Sequence, residues 1–203
     1  MNSNRIVVAF RKDRAAGKTH PITKSVAKLS QKKVVVKSHI FKGVSPSNEV
    51  ARLAKREYAF LKKYAKRIDL AGSIRRRKPD PSDIDFVIIP KNAEAKQAIY
   101  KHAEKYKIRA RGPHLLSYWL LPRKRAQVDI YFAKPSYYGA MMLFATGPGG
   151  HNIGLRVFAK KQGKKLSQYG LFNSHGQLIA SRTEKDIYRG LGRTYKGPYD
   201  RED

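Results

Sequence analysis

The stretch AGSIRRRKPDPSDIDFVII, residues 71 to 89, decides the fold of this chain. It joins a Gly72-Ser73 turn, a basic run and two prolines to an Asp83-x-Asp85 pair that opens an apolar strand. Side chains two apart on a strand point to the same face, so the two carboxylates lie side by side. Glycine lets backbone amides approach a phosphate, and a serine hydroxyl can donate to it. The stretch therefore predicts a strand edge that binds Mg²⁺ together with a phosphate.

A third carboxylate, Asp129, lies in the alternating segment QVDIYF, residues 127 to 132, on the face opposite Val128 and Ile130. Aspartate is unfavourable in the middle of a strand, and two metals that bridge a transferring phosphate need ligands on both sides. The pattern therefore predicts that Asp129 completes the site. The alternative is that all three carboxylates are solvated positions on strand edges, because Asp-x-Asp pairs are common.

These residues carry a family resemblance. Gly72-Ser73, Asp83-x-Asp85 and Asp129 resemble the palm signature of the nucleotidyltransferase superfamily. The run LFATGPGGHNIGLRVFAKKQGKKLSQYGLF, residues 143 to 172, resembles the thumb of X-family DNA polymerases, and residues 183 to 203 resemble that family's closing segment. The similarity covers residues 49 to 203, and the small viral members, reduced to palm and thumb, have the nearest layout.

The resemblance implies an α+β fold in three parts. Residues 1–48 would be a basic N-terminal arm or hairpin. Residues 49–135 would form the nucleotidyltransferase palm, a mixed sheet with flanking helices, and residues 136–203 a small helical and β thumb. The implied activity is template-directed addition of dNMP to a primer 3′-hydroxyl, with short-gap filling in DNA repair as the task. The implied partners are dNTPs and gapped or primer-template DNA, bound by a monomer.

The resemblance also assigns roles to individual residues. Asp83, Asp85 and Asp129 would hold two Mg²⁺ ions, or Mn²⁺, and Asp129 would also accept a proton. The residues implied to bind the nucleotide are Gly72, Ser73, Arg76, Phe144, Gly147 and Asn152, and Arg156 would contact the template strand. The turn at residues 146 to 150, TGPGG, predicts a flexible hinge beside this site.

Three departures from the family pattern affect these expectations. Phe144 and Ala145 stand where the family has Tyr-Phe with a ring near the sugar, so the resemblance does not extend to the rejection of ribonucleotides. Gln127 stands where relatives carry an arginine beside the third aspartate, and Arg123 or Arg125 would substitute. No amino-terminal lyase domain is recognisable, so removal of deoxyribose phosphate is not expected.

Composition favours a polyanionic partner. Among 203 residues the formal charge is +29, and residues 1–48 hold eleven Lys and Arg against one acid. Such a charge attracts nucleic acid, and the basic arm would contact phosphates without reading sequence, unless it is a solubilising tail. The chain has no cysteine, which excludes disulfides, thiol nucleophiles and zinc-finger clusters.

No apolar run approaches membrane-spanning length, and the start of the chain lacks a signal-peptide pattern. A cytoplasmic or nucleoid location is expected, or a virion or host compartment for a viral protein, and not secretion. A transit peptide is the alternative for the basic N-terminus.

Local patterns predict the order of the elements. They predict helices over 48–67, 91–106, 137–145 and 151–161 and from residue 183, and strands over 68–71, 83–89, 114–121 and 127–132, with a small sheet over 164–172 and 177–180. Trp119, the only tryptophan, is expected in the core.

Two other functions share some of these features. A template-independent or RNA-directed nucleotidyltransferase, such as a tailing enzyme, would keep the palm residues but would not need a polymerase-like thumb. A non-catalytic DNA-binding protein on an inactivated palm would explain the charge but not the three aspartates.

Overall fold

The computed structural model describes residues 48–121 and 126–201, all within one compact unit. The predicted basic arm up to residue 47 lies outside the described residues, as do Arg123 and Arg125. Within the described ranges, no helix has the length and apolar character needed to cross a membrane.

The described chain combines helices with runs of consecutive strands, which confirms the α+β expectation. The strands are β1 Ala65–Leu70, β2 Asp83–Pro90, β3 Lys107–Arg111, β4 Leu115–Leu121, β5 Ala126–Phe132, β6 Lys165–Ser167, β7 Gly170–Phe172 and β8 Leu178–Ala180. The helices are α1 Glu49–Leu61, α2 Gly72–Arg75, α3 Ala93–Ala103, α4 Tyr138–Thr146, α5 Gly149–Lys161 and α6 Glu184–Gly190, with 3₁₀ turns at Pro135–Tyr137 and Pro198–Asp200.

The first five strands form one mixed sheet in the order β1-β2-β5-β4-β3. Only the central pair, β2 and β5, is parallel, and the other neighbours run antiparallel. One face packs against α1 and α3 through buried side chains, which include Ile84, Phe86, Ile88, Val128, Ile130 and Phe132. Because side chains alternate along a strand, the intervening residues Asp83, Asp85 and Asp129 lie on the opposite face.

The first helix ends earlier than predicted. The Asn48 side chain caps α1 by accepting a hydrogen bond from the Ala51 amide at 3.0 Å, and the helix ends at Leu61 rather than near residue 67. Residues from Ala65 pair with β2 instead, which buries Ile68 and Leu70 in the alternating pattern of a strand. Lys66 and Arg67 resemble a charged helix face in sequence, but pairing across the sheet overrides that local pattern.

The placement of Trp119 in the core is wrong. Tyr118 is the fully buried residue, and its hydroxyl donates to the buried Glu57 carboxylate at 3.0 Å. Trp119 is half-buried on the other face, under the guanidinium of Arg109 at 5.4 Å. The partner strand β3 was not predicted, because three of its five residues are Lys or Arg.

The C-terminal part packs around its own apolar cluster, which α4, α5, α6 and the β6-β7-β8 sheet share. Helix α4 also contacts the large sheet, since Tyr138, Met141 and Met142 pack against Ala71 and Val87. One helix therefore contributes to both cores. The division into a palm and a thumb stays a prediction.

Candidate active site

The parallel pairing of β2 with β5 brings the predicted carboxylates together. In the register, Asp85 lies opposite Asp129 and Asp83 lies opposite Gln127. All three aspartates share the face of the sheet that α1 and α3 leave uncovered. Two neighbouring strands thus place three acids within a few ångströms along and across the sheet.

The Gly72-Ser73 turn lies directly against the β2 carboxylates. The Ala71 amide donates to the Asp85 carbonyl at 2.8 Å, after which Gly72 turns the chain into the single-turn helix α2 with φ +56°. A Cβ atom at Gly72 would lie 1.9 Å from Asp85 Oδ2. Only glycine accommodates both this backbone angle and this approach, so the residue seats the turn against the carboxylate.

Burial and neighbouring acids raise the pKa of both carboxyls on β2. Burial, together with the charges of Asp129 and Asp83, raises the pKa of Asp85 to about 7, against a weaker opposing effect of Arg76. Burial and Asp129 also raise the pKa of Asp83, although a hydrogen bond from Ser82 and the charge of Arg109 oppose that shift. In a protein of charge +29, this pocket of uncompensated negative charge fits a divalent cation.

The carboxylates do not already converge on one point. Across the described residues, no group of three or more His, Asp or Glu side chains is arranged as a metal-binding cluster. Asp129 Oδ1 accepts a hydrogen bond from Gln127 Nε2 at 2.7 Å, and the Asp85 carboxylate rests against Gly72. The register nevertheless places Asp85 beside Asp129. Because these acids alone do not form a coordination shell, substrate oxygens would be needed to complete it.

A cleft of about 700 Å³ opens over this face. It gathers nine of the ten predicted site residues, namely Gly72, Ser73, Arg76, Asp83, Asp85, Phe144, Gly147, Asn152 and Arg156. The tenth, Asp129, neighbours Asp85 across the strand pair. Residues from the sheet, α2, α4 and α5 therefore meet in one place, although they are distant in sequence.

The turn at Thr146–Pro148 differs from the flexible hinge predicted from its sequence. Its three residues are buried, and the Gly147–Pro148 peptide is cis. Arg75 Nη1 donates to Thr146 Oγ1 at 2.5 Å, and Arg76 Nη1 donates to the Thr146 carbonyl. Within the predicted hinge, residues 146 to 150, only Gly149 and the glycine after it are exposed. The turn is held because arginine side chains satisfy its polar atoms, which a glycine-rich sequence does not reveal.

Glu184 forms the centre of an ionic network that the sequence reasoning missed. Arg75 binds its carboxylate through two hydrogen bonds of 3.0 and 2.6 Å, and the fully buried Arg201 binds it at 2.8 Å. Burial alone would raise the pKa of Glu184, but the bonds and charges of Arg75 and Arg201 outweigh it and lower the pKa. The two neighbouring arginines therefore have different contacts. Arg75 links α2 to α6 through Glu184, whereas Arg76 lines the cleft.

The cleft wall on α5 carries an unsatisfied acceptor. Asn152 Nδ2 donates to the Phe144 carbonyl at 2.9 Å, whereas its Oδ1 is buried with no hydrogen-bond partner. Buried polar atoms are nearly always paired, so a ligand donor in the cleft would satisfy it.

Phe144 packs edge-on against Tyr131 with ring centroids 5.9 Å apart, and the Arg156 guanidinium lies 5.6 Å from the Phe144 ring.

The amino-acid sequence is similar to those of several known proteins. A family model described as DNA polymerase beta thumb matches residues 141–202. A protein named "Repair DNA polymerase X" from African swine fever virus is 29% identical over 144 residues, which cover 68% of this chain and 83% of that protein.

Two longer proteins match as well. The "DNA polymerase/3'-5' exonuclease PolX" of Bacillus subtilis is 26% identical over 60% of this chain and 22% of its own length. The rat "DNA polymerase lambda" is 26% identical over 64% of this chain and 28% of its own length.

Proposed function

The chain belongs to the X family of DNA polymerases, and from this premise we propose that it is a DNA-directed DNA polymerase that fills short gaps during repair. It would add dNMP to a primer 3′-hydroxyl as the template directs. A monomer would bind gapped or primer-template DNA and a dNTP, in whichever compartment of a cell, virion or host holds that DNA.

One observation carries the proposal: a cleft holds two aspartates, a Gly-Ser turn and an arginine, and a third aspartate lies beside them on the adjacent parallel strand. Nucleotidyl transfer needs one set of groups for the metal and another for the phosphates. The carboxylates would hold a divalent metal, and the turn and Arg76 would bind the phosphates of a nucleotide. Clustered acids repel one another and also repel DNA phosphates. A DNA-binding protein without catalysis would therefore gain nothing from this arrangement.

Asp83, Asp85 and Asp129 would hold two divalent ions, with Mg²⁺ as the expected metal and Mn²⁺ as a substitute. Bound there, such ions neutralise phosphate charge and lower the pKa of a 3′-hydroxyl. The elevated pKa of Asp85 indicates a carboxyl that gains most from a nearby cation. Asp129, beside it, would accept the proton of the hydroxyl.

The other side chains would orient the nucleotide. Gly72 and Ser73 present a backbone and a hydroxyl to its outer phosphates, and Arg76 adds a guanidinium. Asn152 offers its unpaired Oδ1 to a donor on the base, and Phe144 packs beside the sugar. Arg156, exposed on the same helix, would contact the template strand.

The test is extension of a labelled primer across a one-nucleotide gap, with Mg²⁺ and each dNTP or rNTP added separately. We expect wild type to add only the template-matched nucleotide. Asp129→Ala should lose activity by at least about a thousandfold, because a metal ligand acts in the transition state. Glu94→Gln, which removes one exposed acid far from the cleft, is the charge control and should leave the rate unchanged.

The same experiment separates the other functions. Addition of nucleotides regardless of template would instead indicate a tailing enzyme. Tight DNA binding without any incorporation would indicate a non-catalytic binding protein. The rNTP lanes measure how far Phe144 and Ala145 admit ribonucleotides.

A further inference from the structure

We propose that Arg109 is a positioning residue for Asp129: it acts through the Gln127 side chain to fix which carboxylate oxygen of Asp129 faces the metal. The inference rests on the proposed function, since it assigns Asp129 to a metal. It names a basic residue of strand β3 that lies outside the cleft lining.

A continuous chain of contacts joins the two residues across three strands. Arg109 Nη1 on β3 donates to Gln127 Oε1 on β5. Gln127 Nε2 donates to Asp129 Oδ1 at 2.7 Å and to Ser117 Oγ on β4 at 3.3 Å. The Arg109 guanidinium also lies 5.4 Å from the Trp119 ring, which holds it on this face of the sheet.

The donors and acceptors in this chain permit one orientation of the Gln127 amide. A guanidinium has only donors and an ionised carboxylate has only acceptors. Arg109 must therefore face the amide oxygen, and Asp129 must face the amide nitrogen. Without Arg109, the amide oxygen loses its donor, and only the bonds to Asp129 and Ser117 hold the side chain, so the amide can shift along the carboxylate.

The fixed amide decides how Asp129 can bind a metal. With Oδ1 occupied by Gln127, Oδ2 remains, and no hydrogen bond among the described residues reaches it. A partner that orients a ligating carboxylate commonly changes metal affinity or activity about tenfold or more when removed. Arg109 is exposed and acts one step away, so its removal should have a smaller effect.

An exposed arginine could instead contact a DNA phosphate, and the two roles differ in measurable ways. A phosphate contact would act independently of Gln127, raise KM for DNA and reduce the salt dependence of binding. A positioning role requires Gln127, lowers kcat and changes metal binding in the absence of DNA.

The experiment is a double-mutant cycle of Arg109→Ala and Gln127→Ala. The control is Arg111→Ala, which removes a nearby exposed arginine of β3 that pairs with Glu104. Arg109→Lys tests rescue, because lysine also has only donors and keeps the amide orientation. Each full-length variant is titrated with Mn²⁺ alone by calorimetry and then assayed for gap filling.

We expect Arg109→Ala to weaken Mn²⁺ binding and lower kcat about threefold to tenfold, while KM for DNA changes less. Arg109→Lys should stay near wild type, as should Arg111→Ala. In the Gln127→Ala background, Arg109→Ala should have a much smaller effect, because only the charge of Arg109 near Asp83 is then lost.

Three outcomes of the double-mutant cycle and the Mn²⁺ titration would contradict the positioning role. Equal effects of Arg109→Ala in both backgrounds, or a change confined to KM for DNA, would overturn the positioning role. So would a wild-type protein that binds no Mn²⁺. Wild type that binds Mn²⁺ with the expected coupling but extends no primer would overturn the proposed polymerase function and leave the inference standing.

Discussion

At the residue scale, Asp85 is the carboxyl that folding places under the greatest electrostatic penalty. Burial and two neighbouring acids raise its pKa from 3.8 to about 7. The folded protein therefore holds this proton more tightly than the unfolded chain does. The stability associated with the protonated carboxyl is fully present below about pH 3.8 and is lost as the pH rises to about 7.

Asp85→Asn removes this penalty, because the amide carries no charge at any pH. We expect it to raise the Tm of the metal-free protein by several degrees at pH 8 and by little at pH 4, which thermal unfolding in a chelator measures. The control Glu94→Gln removes an exposed acid from the first turn of α3, so it should not raise the Tm at either pH. An equal increase at the two pH values would show that the gain comes from packing rather than from charge.

At the element scale, the junction of α2, α4 and α6 depends on one buried acid. Glu184 neutralises Arg75 and Arg201, and both arginines in turn bind the Thr146–Gly147 turn, with Arg201 Nη1 at 3.4 Å from the Gly147 carbonyl. A buried pair that loses one partner leaves an uncompensated charge, which costs about 3 kcal/mol or more.

Glu184→Gln should therefore lower the free energy of unfolding by about 3 kcal/mol, measured in urea. Asp186→Asn, on the same helix, breaks an exposed pair with Arg189 and should cost less than about 1 kcal/mol. The loss from Glu184→Gln should be complete above the ordinary glutamate pKa and shrink as the pH falls below it, because the depressed pKa of Glu184 contributes stability that is lost as the folded protein takes up this proton. Similar losses from the two variants would show that the network is not decisive.

The residues that could be predicted from the sequence are those whose chemistry demands a residue type at a short spacing. Gly72-Ser73 and Asp83-x-Asp85 lie within one turn and one strand, and Asp129 interrupts a clean apolar alternation. Glu184 sits in the first turn of a capped helix, where an acid is ordinary. Arg109 is one of 44 Lys and Arg, so only its place in the sheet distinguishes it.

Element boundaries failed where charge obscured the pattern. β1 and β3 carry lysines and arginines on the face that is not buried, so neither shows an apolar alternation long enough to separate it from a helix or loop. Their strand character comes from pairing with β2 and β4, which are far more apolar. Such tertiary pairing overrides weak local preference.

At the scale of the whole molecule, the charge of +29 should dominate DNA affinity. Binding that neutralises six or more phosphates loses about a thousandfold in affinity between 50 and 200 mM salt. We expect such a loss for the full chain, and equal affinity for two duplexes of unrelated sequence, as fluorescence anisotropy would measure. A shallow salt dependence or a clear sequence preference would contradict an interaction based mainly on phosphates.

The position of β5 in the sheet has a consequence for how the protein is made. It is the last of the five strands along the chain, yet it lies between β2 and β4. β1 with β2 and β3 with β4 can pair as soon as they are synthesised, but each pair then exposes one inner edge. Unpaired strand edges are sites of aggregation. The arrival of β5 covers both inner edges and brings Asp129 beside Asp85, so one pairing event removes two aggregation-prone edges and assembles the three acids.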